Sequence, residues 1–312
     1  MAASEMQSES ERAKAVVRRW NDEGWSGGNY ELAQEIIAPV MTVHGAGGQA
    51  VGMGPDGLVD LIKTWRTAFP DGYMTVDDII VEGDLVGIRN TWHGTHQESF
   101  YGIPASGKEV HVTSVGLDRV TNGQVAEGWG ELDMVGMMQQ LGAMPMAGPG
   151  AVSTGRSSEW GPSSTVSGDA TTSPEEYRAI VARFVEALGH ADEAALADLV
   201  DEAAFVDHNP VWGTDDWAGV IAGAKALRAA FPDLEVKLDT ANMVAEGNQV
   251  VAHSLLSGTQ TGEFLGVAPT GKAITWSHTD FVRIAGGKVV ERWVSADTLT
   301  LFQQIGLLPG GS

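Results

Sequence analysis

Along this chain the apolar residues fall at helical spacing first and at strand spacing afterwards, and the whole order occurs twice. Ala13, Val16, Val17 and Trp20 share one face of a helix, as do Ile180, Val181, Phe184 and Leu188. The later helix opens on Ser173-Pro174-Glu175-Glu176, a capping residue followed by proline and acids in the first turn. A second short helix is predicted over residues 30–37 and 193–200, then a short strand ending at His44 or His208. A third helix runs to Phe69-Pro70 or Phe231-Pro232. Strands are predicted next over 74–81 and 234–244, leading into the tight turns E-G-D (82–84) and E-G-N (246–248). Two longer strands follow in each part, closed by T-N-G (121–123) or A-G-G (285–287). The last strand covers 125–133 or 289–297, and a final short helix ends at Gly142 or Gly306, each placed as a C-cap. Helices first and hairpin-connected strands after predict an α+β fold, with the helices on one face of an antiparallel sheet.

The two parts are related at a constant spacing of 164 residues through their second portions. G-T-H-Q-E-S-F-Y-G-I-P-A-S-G-K from Gly94 matches G-T-Q-T-G-E-F-L-G-V-A-P-T-G-K from Gly258. Trp129 pairs with Trp293, Asp133 with Asp297, and M-Q-Q-L-G (138–142) with F-Q-Q-I-G (302–306). A period this long is the size of a whole domain, so the chain reads as two copies of one fold, residues 9–143 and 174–309. Residues 144–173 lack periodicity and are dominated by Gly, Ser, Thr, Ala and Pro, which marks a flexible linker. A coil of about thirty residues spans roughly 30 Å, enough to let the halves sit side by side.

Composition narrows the partners. Lys and Arg number 19 against 41 acids, a net charge of −22 that keeps the chain soluble and repels phosphate backbones and anionic membranes. Nucleic acid and lipid are therefore not expected as partners. There is no cysteine, which excludes disulfides and thiolate metal sites. No apolar run approaches 18 residues and the N-terminus is polar and acidic, so a soluble, cytoplasmic protein without a signal peptide is expected. No H-x-x-x-H or H-E-x-x-H spacing and no glycine-rich fingerprint after a strand occurs, so neither a metal nor a nucleotide cofactor is expected.

Helix–helix–strand–helix followed by a curved sheet resembles the ketosteroid-isomerase-like fold. The runs G-T-x-T-G-E-F-L-G-V-x-P-T-G-K, G-K-V-V-E-R-W-x-x-x-D and Q-Q-I-G of the second half resemble SnoaL-like polyketide cyclases. The first half keeps the same frame in G-T-H, F-Y-G-I-P-x-S-G-K, N-G-Q-V-A-E-G-W-x-x-x-D and Q-Q-L-G. The resemblance covers about nine-tenths of the chain. It implies two tandem cone-shaped domains, each a curved antiparallel sheet with three N-terminal helices on one face, packed together as a pseudo-dimer. It also implies a cofactor-independent cyclase or isomerase of secondary metabolism acting on a hydrophobic, polyketide-like small molecule.

Asp133 and Asp297 are the first candidates for chemistry. On a strand, W-x-x-x-D puts Trp129 with Asp133, and Trp293 with Asp297, on one face. Were that face to line the cone, desolvation would raise the carboxylate towards the range of a general base or acid. The resemblance implies this acid/base role for the aspartate. Each aspartate also opens a short helix and reads equally as its N-cap. His44 and His208 are paired by the repeat, while His253 and His278 stand where the first half has Arg89 and Ser114. His278 shares parity with Asp280, and an imidazole beside a developing enolate could donate a hydrogen bond to it. The alternative for each is a hydrogen-bonded sheet histidine. The candidate catalytic set is thus Asp297, His278, His208, Asp133 and His44. Trp293, His253, Trp129, Arg89, Glu131 and Trp20 are candidates for substrate binding, and the second half, with Asp297 and three histidines, is the stronger.

Three functions remain open at this stage. The first is an acid/base cyclase or isomerase, which needs one positioned base and an enolate stabiliser. The second keeps the pocket for epoxide opening or a shape-driven pericyclic closure. The third is a non-catalytic binding protein, because the scaffold hosts all of these.

Overall fold

The protein is described by a computed structural model covering residues 2–144, 172–208 and 215–308. Almost all of the expected linker lies outside the described residues. In the first half, α1 (Ala2–Arg19) runs into a π-helical turn (Trp20–Ser26), α2 (Leu32–Ile36), β1 (Ile37–His44), β2 (Ala50–Met53) and α3 (Pro55–Ala68). β3 (Tyr73–Glu82), β4 (Leu85–Thr95), β5 (Glu109–Thr121), β6 (Gln124–Leu132) and α4 (Met134–Leu141) complete it. The second half repeats the order with α5 (Pro174–His190), α6 (Glu193–Leu199), β7 (Val206–Asp207), α7 (Trp217–Ala230) and β8 (Glu235–Leu238). It ends with β9 (Val244–Glu246), β10 (Gln249–Thr259), β11 (Ala273–Ala285), β12 (Lys288–Ala296) and α8 (Thr298–Ile305).

The local signals explain these boundaries. Ser173 and Glu176 form a reciprocal capping box at the start of α5. Gly142 and Gly306 close α4 and α8 at φ +79° and +85°, the left-handed region that glycine enters without penalty. The α+β class and the tandem cones are as expected, but the sheets are mixed, not antiparallel. β1 pairs with β6, and β7 with β12, in parallel. The short strand arrives from the helical layer and joins the last strand of its half, so its direction follows from that path and not from a hairpin. The strand expected over 234–244 is broken into β8 and β9 by a single 3₁₀ turn at Thr240–Asn242, whereas β3 passes the equivalent place with a bulge between Val76 and Asp78. No helix among the described residues is long and apolar enough to cross a membrane.

Each sheet buries one face under its own helices. Val17, Trp20, Ile36, Ile62 and Ile88 gather in the first core, and Val181, Phe184, Leu196, Val250 and Val282 in the second. The opposite faces meet each other: Ile80, Leu85, Val115, Leu117 and Trp129 form one cluster with Val244, Val251, Phe281 and Trp293. Gly87 permits this approach, because a Cβ there would lie 2.6 Å from Val251.

The polar contacts across the seam are reciprocal. Glu246 accepts from the Val81 amide at 2.9 Å and pairs with Lys14 at 2.9 Å. Glu82, its counterpart, accepts from the Ala245 amide at 2.9 Å and pairs with Arg178. Each half thus offers the other the same pair of contacts.

Candidate active site

The first cone encloses a cavity of about 320 Å³. The π-helical turn supplies Trp20, Asn21 and Trp25, α3 supplies Leu58, Leu61 and Trp65, and the strands supply Ile88, Asn90, Ser114, Gly116 and Asp118. A π-turn adds a residue to the helical repeat and re-aims its side chains, which is why such turns occur at functional sites. Here Asn21 Nδ2 donates to the Val17 carbonyl at 2.9 Å. Gly24 leaves room for the Trp20 ring, which a Cβ would meet at 2.5 Å.

Asp118 is half-buried on the wall of this cavity. Among the described residues it has no hydrogen-bond or ion-pair partner, and burial alone pushes its carboxyl up to about 7. Gly128 makes its place: a Cβ there would fall 3.1 Å from Asp118 Oδ1 and 2.5 Å from Met41 Cε.

The second cone retains a cavity of only about 70 Å³, walled by Leu188, Val220, Leu227, Trp276 and Val294. A buried charge network lines it. Arg292 donates to Asp280 Oδ1 at 2.6 Å and to Asp207 Oδ2 at 3.0 Å. His278 Nε2 lies 3.1 Å from Asp280 Oδ2, close enough to pair but out of line for a hydrogen bond. Burial alone would raise the Asp280 carboxyl, yet the Arg292 guanidinium and then His278 hold it far below the usual carboxylate range. At the spacing of 164, Asp207, His278, Asp280 and Arg292 correspond to Val43, Ser114, Gly116 and Gly128, and Asp118 corresponds to Val282. The halves thus share a frame and differ in every polar residue of the cone wall.

Most of the residues singled out in the sequence stand elsewhere. Trp293 belongs to the seam, and Trp129 joins it there while also bordering the first cavity. The W-x-x-x-D face is therefore turned towards the other half, because β6 and β12 each have a second buried face. Asp133 Oδ1 accepts from the Gly136 amide at 2.8 Å, and Asp297 Oδ1 from Thr300 at 3.1 Å; both cap the helices that follow. Burial raises Asp133, and the Gly136 amide partly offsets that. Asp297 Oδ2 also accepts from the Gly47 amide of the other half at 3.0 Å.

His44 stacks on Trp129 with centroids 4.6 Å apart and bonds Glu127 at 2.8 Å; His208 stacks on Trp293 at 4.4 Å and pairs with Glu291 at 3.4 Å. Arg89 is fully buried with its guanidinium 4.4 Å from the Trp293 ring. His253, at 3.1 Å from Thr279 Oγ1, is pushed down to about 4, chiefly by burial, and is neutral at pH 7. Of those candidates His278 lines the second cone, and Trp20 and, at its edge, Trp129 line the first. The cone walls also carry Asp118, Asn21, Asn90, Arg292 and Asp207, which the sequence reading does not single out, and Asp280, which it names only for its parity with His278. The parity of 114, 116 and 118 on β5 is the one signal that points to Asp118.

Glu131 sits in the seam, 6% exposed, accepting from Thr279 Oγ1 at 2.6 Å. Burial pushes its carboxyl up to about 7, so folding disfavours its ionisation. The folded value exceeds the unfolded one of about 4.3, so this residue's contribution falls as pH rises from about 4 to 7 and is level above that. Glu131→Gln keeps an acceptor for Thr279 and is expected to raise the denaturation midpoint at pH 8 and to leave it nearly unchanged at pH 4; urea unfolding at the two values checks this.

Among the described residues no group of three or more His, Asp or Glu is arranged to hold a metal ion. Residues 15–141 and, separately, 178–305 match the SnoaL-like polyketide cyclases. A Jannaschia sp. CCS1 protein assigned as a SnoaL-like polyketide cyclase is 28% identical over 44% of this chain and 96% of its own, with a TM-score of 0.40. TsrD from Streptomyces laurentii is 27% identical over 43% and 97%, at 0.39. IdmH from Streptomyces antibioticus, assigned as a polyketide cyclase, is 30% identical over 42% and 98%, at 0.38. No curated protein matches. With two family matches that together span most of its length, the chain belongs to the SnoaL-like polyketide cyclase family and carries that family's domain twice.

Proposed function

We propose that the protein is a cofactor-free cyclase or isomerase of secondary metabolism, acting on a hydrophobic, polyketide-like small molecule in the first cone. Residues 9–143 and 174–309 are its two domains, and the second serves the first as the partner subunit of a pseudo-dimer. The observation that carries this reading is Asp118, a carboxyl without a partner among the described residues, on the wall of an aromatic cavity and ionising near neutrality. Such a group is matched to proton transfer at the pH of the cell.

In the reaction, the Asp118 carboxylate removes a proton from a carbon beside a carbonyl. The enolate formed either takes the proton back at another carbon, an isomerisation, or attacks a second carbonyl of the same molecule. In the latter case a carbon–carbon bond forms and the new alkoxide takes the proton from Asp118, which returns the carboxylate. The indoles of Trp20, Trp25 and Trp65 exclude water from the enolate and hold a flat substrate.

A suitable probe is 2-tetralone, a bicyclic ketone with exchangeable α-protons. Because the base must be ionised, its enzyme-dependent exchange in deuterated water is expected to rise about tenfold per unit below pH 7 and to level off above it. A flat profile, or one with its midpoint near 4, would count against Asp118. A second reading is favoured by His278 at 3.1 Å from Asp280, a base and an orienting carboxylate in the second cone. On that reading His278→Gln, and not a change at Asp118, removes the exchange.

A further inference from the structure

Four of the positions at which the two cones differ decide which of them has room. In the first these places hold Val43, Ser114, Gly116 and Gly128, and the cavity, with Ser114 and Gly116 on its wall, is about 320 Å³; in the second they hold Asp207, His278, Asp280 and Arg292, all four on the wall, and about 70 Å³ is left. Arg292 bridges Asp280 and Asp207 from β12 to β11 and β7, so three strands are tied across the floor of the cone. A ligand entering there would have to displace charges that are paired and out of water, and a hydrophobic one returns nothing for that cost.

We infer that the chain binds one ligand and not two, and that the Asp207–Arg292–Asp280 network is the element that keeps the second cone closed. These positions, and not the repeated Trp and Asp motifs, determine which copy admits a hydrophobic ring system. The inference rests on the reading of the first cone as the working site. It adds that the second cone is latent: its frame is intact and its closure is local. The network must be removed as a unit, because deleting one member leaves the charges of the others less compensated in the interior.

The test is calorimetric titration of the full chain with 2-naphthol, the flat analogue of the enol of 2-tetralone. The unaltered chain is expected to bind one equivalent. Gly130→Leu is expected to abolish that binding. A Cβ at this cavity-lining position meets nothing nearer than 3.5 Å, so a side chain can branch from it without displacing backbone. The combined change Asp207→Val, His278→Ser, Asp280→Gly and Arg292→Gly installs the first half's residues and is expected to raise the stoichiometry to two.

Two equivalents on the unaltered chain, no binding at all, or binding that survives Gly130→Leu would overturn the inference. So would a folded fourfold variant that still binds one. If that variant does not fold, the unaltered chain and Gly130→Leu still decide whether one ligand binds and in which cone. The proposed chemistry fails independently: Asp118→Asn is expected to keep one equivalent of 2-naphthol while losing proton exchange, so a base elsewhere would show in the exchange rate and not in the stoichiometry.

Discussion

Replacing Asp118 by Asn is expected to lower 2-tetralone exchange at pH 8 by about 10²–10⁴-fold, the usual contribution of a positioned general base. The same change is expected to stabilise the fold. The Asp118 carboxyl ionises at about 7 when folded and at about 3.9 when unfolded, so above pH 7 the native state holds a charge it disfavours. Three pKa units correspond to about 4 kcal/mol. Because the group is half-buried and looks into a cavity, roughly half of that, about 2 kcal/mol, is the gain expected for the amide at pH 8. The gain shrinks as pH falls from 7 to 4, where both states of the unaltered protein become protonated. Activity lost with stability gained is the pattern of a catalytic group held in an unfavourable place. A purely structural aspartate would lose stability instead, and a shape-driven cyclase would keep its rate. Exchange kinetics and urea unfolding at pH 5 and pH 8 separate these outcomes.

Arg292→Leu is expected to be among the most damaging single changes in the chain. It leaves Asp207 and Asp280, each 1% exposed, without the guanidinium they share. Removing one member of a buried ion network costs about 3–5 kcal/mol, because the remaining charges are uncompensated in the interior. The sign of the pH dependence follows from Asp280. Its folded pKa is held low by Arg292, so the network's contribution is present above about 4 and fades as pH falls below it. In the variant the carboxylates are driven towards their neutral forms, so the loss is expected to be full at pH 7 and smaller near pH 4. Urea unfolding followed through Trp276 and Trp293, both fully buried in the second half, reads this directly.

The α+β order, the duplication and the helix caps could be read from the sequence because they depend on local signals: spacing of apolar residues, Ser173-Pro174, and glycines just past helix ends. The parallel partners of β6 and β12 could not, because β1 and β7 come from distant parts of the chain and nothing local fixes their direction. The site was harder for a related reason. Alternation reveals a strand's inner face only when the other face is wet. Here the sheets are covered on both sides, by helices within each half and by the other half at the seam, and Leu85 to His93 of β4 are buried without a break. Trp129 and Trp293 could therefore be assigned to one face with Asp133 and Asp297, but not to the correct one. Asp118 carries no motif. It differs from its counterpart Val282, and the significance of that difference emerges only once Gly116 is seen to line a cavity beside it.

Acid/base chemistry in the first cone turns on the state of one carboxyl, and carbon-detected NMR of selectively labelled aspartate measures it. The Asp118 signal, identified by its loss in Asp118→Asn, is expected to titrate with a midpoint near pH 7. A midpoint near 4, the value of a solvated aspartate, would contradict the proposal that this cavity holds the acid/base group.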